Sequence, residues 1–394
     1  MVFQNKKFIM KFMKNKVSIT ILIALTLITI IFLFPKITSN HTKVKLTDTQ
    51  LLEKIGQMLI VGFEGTTITE NSPIVKEMED VNIGGIILFD YDIPSKTPIR
   101  NIVDAKQTKT LVENLQKFSP TPLFIAIDAE GGYVNRLKTK YGFAEIPSAE
   151  EMGKESLEKT KTIAITLTNQ FVDLGININF APVVDVNINP NNPIIGGIKR
   201  SFSSNPKEVT QHALAFIQGH HQNNIITAIK HFPGHGSSQD DSHKGMTDVT
   251  TTYQNKELIP YQELIKTGEV DMIMTAHIIN RAIDPDYPAT LSQFFIKNIL
   301  RDQFNFDGVV ISDDMQMKAI TEYFGFEESI ILAINAGCDM LIISNNNSTY
   351  DETAPHKAQE IIFQSVKNGK ISEERIIEAF NRVLKLKKEF NIIK

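Results

Sequence analysis

Cysteine is nearly missing from this chain. Cys338 is the single one in 394 residues. That excludes an internal disulfide framework and any cysteine-built zinc site. Its setting, Ala-Gly-Cys338-Asp-Met ahead of an apolar run, suits a small buried residue. Acidic residues are absent from positions 1–47, which hold eight lysines (6, 7, 11, 14, 16, 36, 43 and 45). Of 41 basic residues in all, 33 therefore remain beyond that point, against 45 acidic ones. An acidic body argues against a nucleic-acid partner, which would require a clustered basic face. Short-period repeats and low-complexity tracts are also absent. What remains is an ordinary folded composition, 42% hydrophobic and 22% charged, long enough for one large domain.

The lysines at the front have a direction. Five precede residues 17–34, a stretch without a charge, and Pro35 and Lys36 follow it. Such a stretch is at the lower limit for spanning a bilayer, where about 20 apolar residues are usual. Leading lysines predict that this end stays cytoplasmic and that the body is translocated. We therefore expect residues 1–38 to be a basic tip and a membrane-anchor helix, or a cleaved signal peptide, with residues 39–47 as a polar linker. The body, residues 48–394, would lie outside the cytoplasm, attached to the cell membrane or secreted.

In the body one pattern recurs: a short β-branched run, a loop, then a longer amphipathic stretch. The runs are 58–63, 83–89, 123–128, 176–180, 227–231, 272–277, 309–313 and 340–344. Their near-continuous apolar character is what strands covered on both faces require. Helical spacing is expected from Pro147-Ser148 to about Leu174, from Pro206 to about Gln222, and over 315–335. A last helix begins at Ser372, an N-cap followed by Glu373 and Glu374. Eight alternating units predict an α/β fold, a single (β/α)8 TIM barrel. A doubly wound open sheet is the rival, but no Gly-x-Gly-x-x-Gly follows the first run.

Several of these runs end on chemistry: Asp128, Lys230-His231, His277 and Asp313. In a barrel the carboxyl ends of the strands build the site, so these residues are expected to converge on one pocket. Asp313 sits in Gly308-Val-Val-Ile-Ser-Asp313-Asp314. A carboxylate there can attack a sugar C1, although both aspartates could instead cap the next helix, a role we expect for Asp314. Residues 230–246 hold too many glycines and polar side chains for a regular element and form a long loop. Within it Asp241 and His243 are two apart, so in an extended segment they can share a side. The carboxylate would then orient an imidazole able to donate and accept protons near neutrality. A metal site made of His231, His235, Asp240, Asp241 and His243 is the competing reading, and a purely structural loop is another. Pro233 and Gly234 exclude the helical His pair of metalloproteases.

Taken together, Lys230-His-Phe-Pro-Gly-His-Gly236, Asp241-Ser-His243, Asp128-Ala-Glu-Gly-Gly-Tyr-Val-Asn-Arg136 and 308–314 resemble glycoside hydrolase family 3, in its β-N-acetylglucosaminidase branch. The resemblance covers roughly residues 48–390. It implies Asp313 as nucleophile, His243 as acid/base and Asp241 as its partner. Asp128, Arg136, Arg200 (in Lys199-Arg-Ser-Phe202), Lys230 and His231 would hold the sugar. His235 and His277 also match family positions, with no catalytic step assigned. Ala129 and Tyr133 depart from the family's usual glutamine and arginine. No metal and no cofactor is implied, a monomer is expected, and the substrate would be a glycan, namely peptidoglycan fragments ending in N-acetylglucosamine. A phosphorylase using the same residues, a β-glucosidase and an inactive sugar-binding protein stand as alternatives.

Overall fold

Eight parallel strands close into a ring: β1 (Leu59–Val61), β2 (Gly85–Leu88), β3 (Phe124–Ile127), β4 (Ile178–Asn179), β5 (Ile226–Phe232), β6 (Met272–Thr275), β7 (Val309–Asp314) and β8 (Met340–Ile343). Each strand pairs with its sequence neighbours, and β1 closes on β8 with Leu59 opposite Leu341. Each of the eight apolar runs supplies one strand. The computed structural model describes residues 45–242, 244–347 and 349–394. The expected anchor over 1–38, most of the 39–47 linker and His243 lie outside the described residues. Among those described, no helix is long and apolar enough to cross a membrane.

The strands alternate their side chains between two apolar layers, as the period of two dictates. Ile60, Ile87, Phe124, Ala126, Ala228 and Ile311 fill the ring. Leu59, Val61, Ile86, Ile125, Ile229 and Val310 face the surrounding helices. Both sets are buried, so neither face of the sheet needed polar residues.

Helices begin and end where local chemistry directs. Ser372 accepts a hydrogen bond from the Arg375 N–H and opens Glu373–Glu389, with Glu373 and Glu374 in its first turn. That helix buries Ile376 and Val383. Its Val383 and Leu386 join the inner layer of the ring. Lys387 beside them donates to Gln57 Oε1 and to the Pro122 carbonyl, each at 2.7 Å. The closing helix therefore plugs the amino-terminal end of the barrel and leaves the opposite end open. Cys338 is fully buried, as its setting predicts.

Two expectations need correcting. The helix expected over 315–335 is two helices, Lys318–Phe324 and Phe326–Ala336, broken at Gly325 with φ 73°. The helix over 147–174 is likewise divided, into Ala149–Met152 and Leu157–Leu174.

Candidate active site

At the end of β3 the chain turns sharply back on itself. Asp128 is followed by an antiparallel hairpin, Ala129–Gly131 against Val134–Asn135. Gly131 and Gly132 adopt φ of 98° and 57°, and a Cβ on Gly131 would lie 2.1 Å from the Pro147 carbonyl oxygen. Only glycine fits there. Asn179 fastens the hairpin, accepting from the Ala129 N–H and donating to the Ala129 carbonyl, both at 3.0 Å. This turn holds Asp128 at the barrel mouth and sends Glu130 inward.

Glu130 is 4% exposed and faces two cations. Arg200 grips it in bidentate fashion, with both N–H···O distances 2.7 Å. Lys230 Nζ lies 2.7 Å from Glu130 Oε1 and 2.7 Å from Asp128 Oδ1. Burial opposes the charge on Glu130, yet Arg200 and Lys230 outweigh it and hold its carboxyl well below the usual range. The same pairing raises Lys230 and Arg200 against their own burial. Every ionised group here has a counter-charge, which is what makes their burial tolerable.

His231, next along β5, accepts at Nε2 from Arg200 Nη2 at 3.2 Å and donates through Nδ1 to Asp185 Oδ2 at 2.7 Å. Those two bonds set its tautomer. Asp185 also accepts from the backbone N–H of His235 at 2.8 Å. His235 is held between Ser238 Oγ at 2.7 Å and Ser242 Oγ at 3.2 Å. Burial pushes His235 down to about 4, so it stays neutral at ordinary pH.

Asp313 stands at the end of β7, its Oδ1 accepting from the Asp314 N–H at 2.8 Å. Asp314 is not the helix cap we expected. Its carboxylate accepts from Ser344 Oγ at 2.6 Å, Asn347 Nδ2 at 2.8 Å and the Gln316 N–H at 3.1 Å. It ties the end of β7 to the end of β8, and the next helix starts only at Lys318. His277 differs too. It is fully buried and does not line the pocket; its Nε2 donates to the Asp314 carbonyl at 2.9 Å. It supports the strand end from beneath.

These ends enclose a cavity of about 440 Å³. Asp128, Arg136, Arg200, Lys230, His231, Asp241 and Asp313 all line it. Its floor is the top of the inner barrel layer, with Ile87, Phe180, Met274 and Ile342. Asp241 is held near Lys244, whose Nζ is 3.4 Å from Oδ2. Sequence reasoning does not single out Glu130, Asp185 or Asp90. Asp185 carries a signal, a lone charge inside the apolar run Val183-Val-Asp185-Val186; Glu130 lies without an assigned role in the turn after Asp128. Among the described residues, no group of three or more His, Cys, Asp or Glu is arranged to hold a metal.

A closed parallel barrel with carboxylates, imidazoles and cations gathered at its carboxyl-terminal mouth is the architecture of a barrel enzyme. The glycosyl hydrolase family 3 N-terminal domain matches residues 50–386. The chain is 37% identical over 272 residues to a beta-hexosaminidase of Tolumonas auensis, covering 68% of this chain and 77% of that one. It is 32% identical over 334 residues to a beta-hexosaminidase of Idiomarina loihiensis, covering 81% and 95%. A family 3 beta-N-acetylglucosaminidase from Paenibacillus sp. FPU-7 superposes with a TM-score of 0.79 at 33% identity. That match covers 88% of this chain and 63% of the Paenibacillus protein, so the chain spans just under two thirds of that longer relative. The chain belongs to glycosyl hydrolase family 3.

Proposed function

We propose that this protein is a retaining exo-β-N-acetylglucosaminidase that removes terminal N-acetylglucosamine from peptidoglycan-derived fragments. One observation carries the reading. Asp313 and Asp241 line a single cavity together with a network of paired carboxylates and cations suited to a ring of vicinal hydroxyls. The beta-hexosaminidases and the beta-N-acetylglucosaminidase to which the chain is similar support the choice of sugar.

In this proposal Asp128, Arg136, Arg200, Lys230 and His231 bind the sugar. Asp313 attacks C1 while His243, oriented by Asp241, protonates the departing oxygen. The resulting glycosyl-aspartate ester is opened by water as His243 takes back a proton, and the β configuration is kept. Residues 1–38 tether the enzyme to the membrane with the barrel outside. The uncharged 17–34 stretch behind five lysines supports that placement.

The test is hydrolysis of p-nitrophenyl N-acetyl-β-glucosaminide followed by peptide mapping after a 2-fluoro sugar. Asp313→Asn should abolish turnover and the label should fall on Asp313. A label on another residue removes the nucleophile assignment. Sugar 1-phosphate as the main product in phosphate buffer would make the enzyme a phosphorylase instead.

A further inference from the structure

The active-site cavity does not end at Arg136. A second hollow of about 730 Å³ adjoins it, and the two share Tyr91, Tyr133 and Arg136. Tyr133 is 75% exposed and Tyr91 42% exposed at this junction. Large aromatic side chains held in water at the lip of a polar site are the usual means of flanking a ligand.

Arg136 forms the partition between the two spaces. Its ion-pair partners Asp90 and Asp128 lie 3.7 and 3.6 Å away, too far for hydrogen bonds. Its Nε is buried and has no hydrogen-bond partner. A guanidinium carries five donors in a fixed fork, and a desolvated donor left unmatched is costly until an acceptor arrives. Lys138 and Lys140 continue the same wall. Two carboxylates, Asp90 and Glu145, face these three cations. Asp90 is 1% exposed and ion-paired to Lys138 at 2.6 Å, so those two charges offset each other, and with three cations against two carboxylates the wall keeps an excess of one positive charge.

Its position relative to the reaction follows from the ring order. β7, which carries Asp313, and β3, which carries Asp128 and the hairpin, stand opposite each other in the closed barrel. A pyranose with C1 at Asp313 therefore turns its C4–C6 edge toward β3 and the second hollow.

We infer that this hollow binds an oxyanion, carboxylate or phosphate, carried on the C4–C6 edge of the terminal N-acetylglucosamine. The inference rests on the proposed place of C1 at Asp313. It makes the enzyme one that accepts acid-decorated chain ends as well as bare ones, with Arg136 and Lys140 meeting the charge and Tyr133 flanking the substituent.

The experiment compares p-nitrophenyl N-acetyl-β-glucosaminide with its phosphorylated, succinylated and neutral acetylated forms, each substituted at O4 or at O6. The wild-type enzyme should cleave a phosphorylated or succinylated form about tenfold more efficiently than the acetylated one, through KM. The phosphate and succinate arms identify which oxyanion is preferred. A Lys140→Met variant, which leaves the Lys138–Asp90 pair in place, should lose most of that advantage and keep its kinetics on the bare glycoside. Equal loss on all substrates, or refusal of every acidic form while the bare glycoside is cleaved, overturns the inference. Calorimetric binding of N-acetylglucosamine 6-phosphate and 4-phosphate against the bare sugar reads the hollow without turnover. Preferential phosphate binding lost in the Lys140→Met variant supports it even if hydrolysis fails, and no preference for either phosphate refutes it.

Discussion

His231 Nδ1 donates to Asp185 Oδ2 at 2.7 Å, while the backbone N–H groups of His231 and His235 both donate to Asp185 Oδ1, at 3.2 and 2.8 Å. One buried carboxylate thus fixes both the imidazole that faces the sugar cavity and the first turn of the loop that carries Asp241. Burial pushes Asp185 up, but His231 and His235 outweigh it and hold its carboxyl below the usual range. The anion is maintained because three donors converge on it.

Asp185→Asn keeps the shape, but its oxygen can serve the two backbone N–H donors only by turning its NH2 toward the His231 Nδ1–H, which then lacks an acceptor. We expect kcat/KM to fall by about 10²-fold, the size of loss that a misplacement of about 1 Å produces. Steady-state kinetics beside a thermal melt will check this. A variant that melts lower yet retains wild-type kinetics would show Asp185 to be structural only.

Glu130→Ala should be among the most damaging substitutions in the chain. It leaves Arg200 and Lys230 buried without their shared anion, and breaking a buried pair in this way costs about 3–5 kcal/mol. Because the Glu130 carboxyl is held low, its contribution is present above the unfolded carboxylate pKa. It is lost only as pH falls toward the folded value. Urea denaturation at neutral pH should therefore show the full loss, and the gap between variant and wild type should narrow only in strong acid.

His221 gives the opposite pH dependence. It lies between Asp271 Oδ2 at 2.9 Å and Glu269 Oε2 at 3.0 Å. Burial lowers its pKa, but those two carboxylates overcome burial and raise it. A raised histidine stabilises the fold fully below its unfolded pKa, about 6.5, and the benefit disappears as pH rises through the folded value. His221→Gln should lower Tm by a few degrees near pH 5.5, on the order of 1 kcal/mol, and by less near pH 9. Melting curves across that range will show it; a constant difference would disprove the charge-based account.

Much of the framework is legible in the amino-acid order alone. The eight runs, the Ser372 cap, buried Cys338 and the strand-end position of Asp313 all follow from apolar periodicity or from local hydrogen bonding. Asp314 and His277 depart from expectation for one reason. Position beside a strand end says that a side chain is near the mouth, but not whether it turns toward the cavity or into the neighbouring strand. Asp314 turns to Ser344 and Asn347, thirty or more positions away.

The amino-acid sequence by itself determined the strands, because each run is apolar at consecutive positions and so must be covered on both faces. The Gly131-Gly132 pair permits the hairpin that the structure shows after β3, in backbone conformations that other residues resist. Which charge neutralises which was decided only by closure of the ring. Glu130 meets Arg200 across 70 residues, Asp185 meets His231 across 46, and Lys230 meets Asp128 across 102. No local rule pairs residues that far apart; packing helices around a closed sheet brings their strand ends together, and burial then demands that each charge find its opposite.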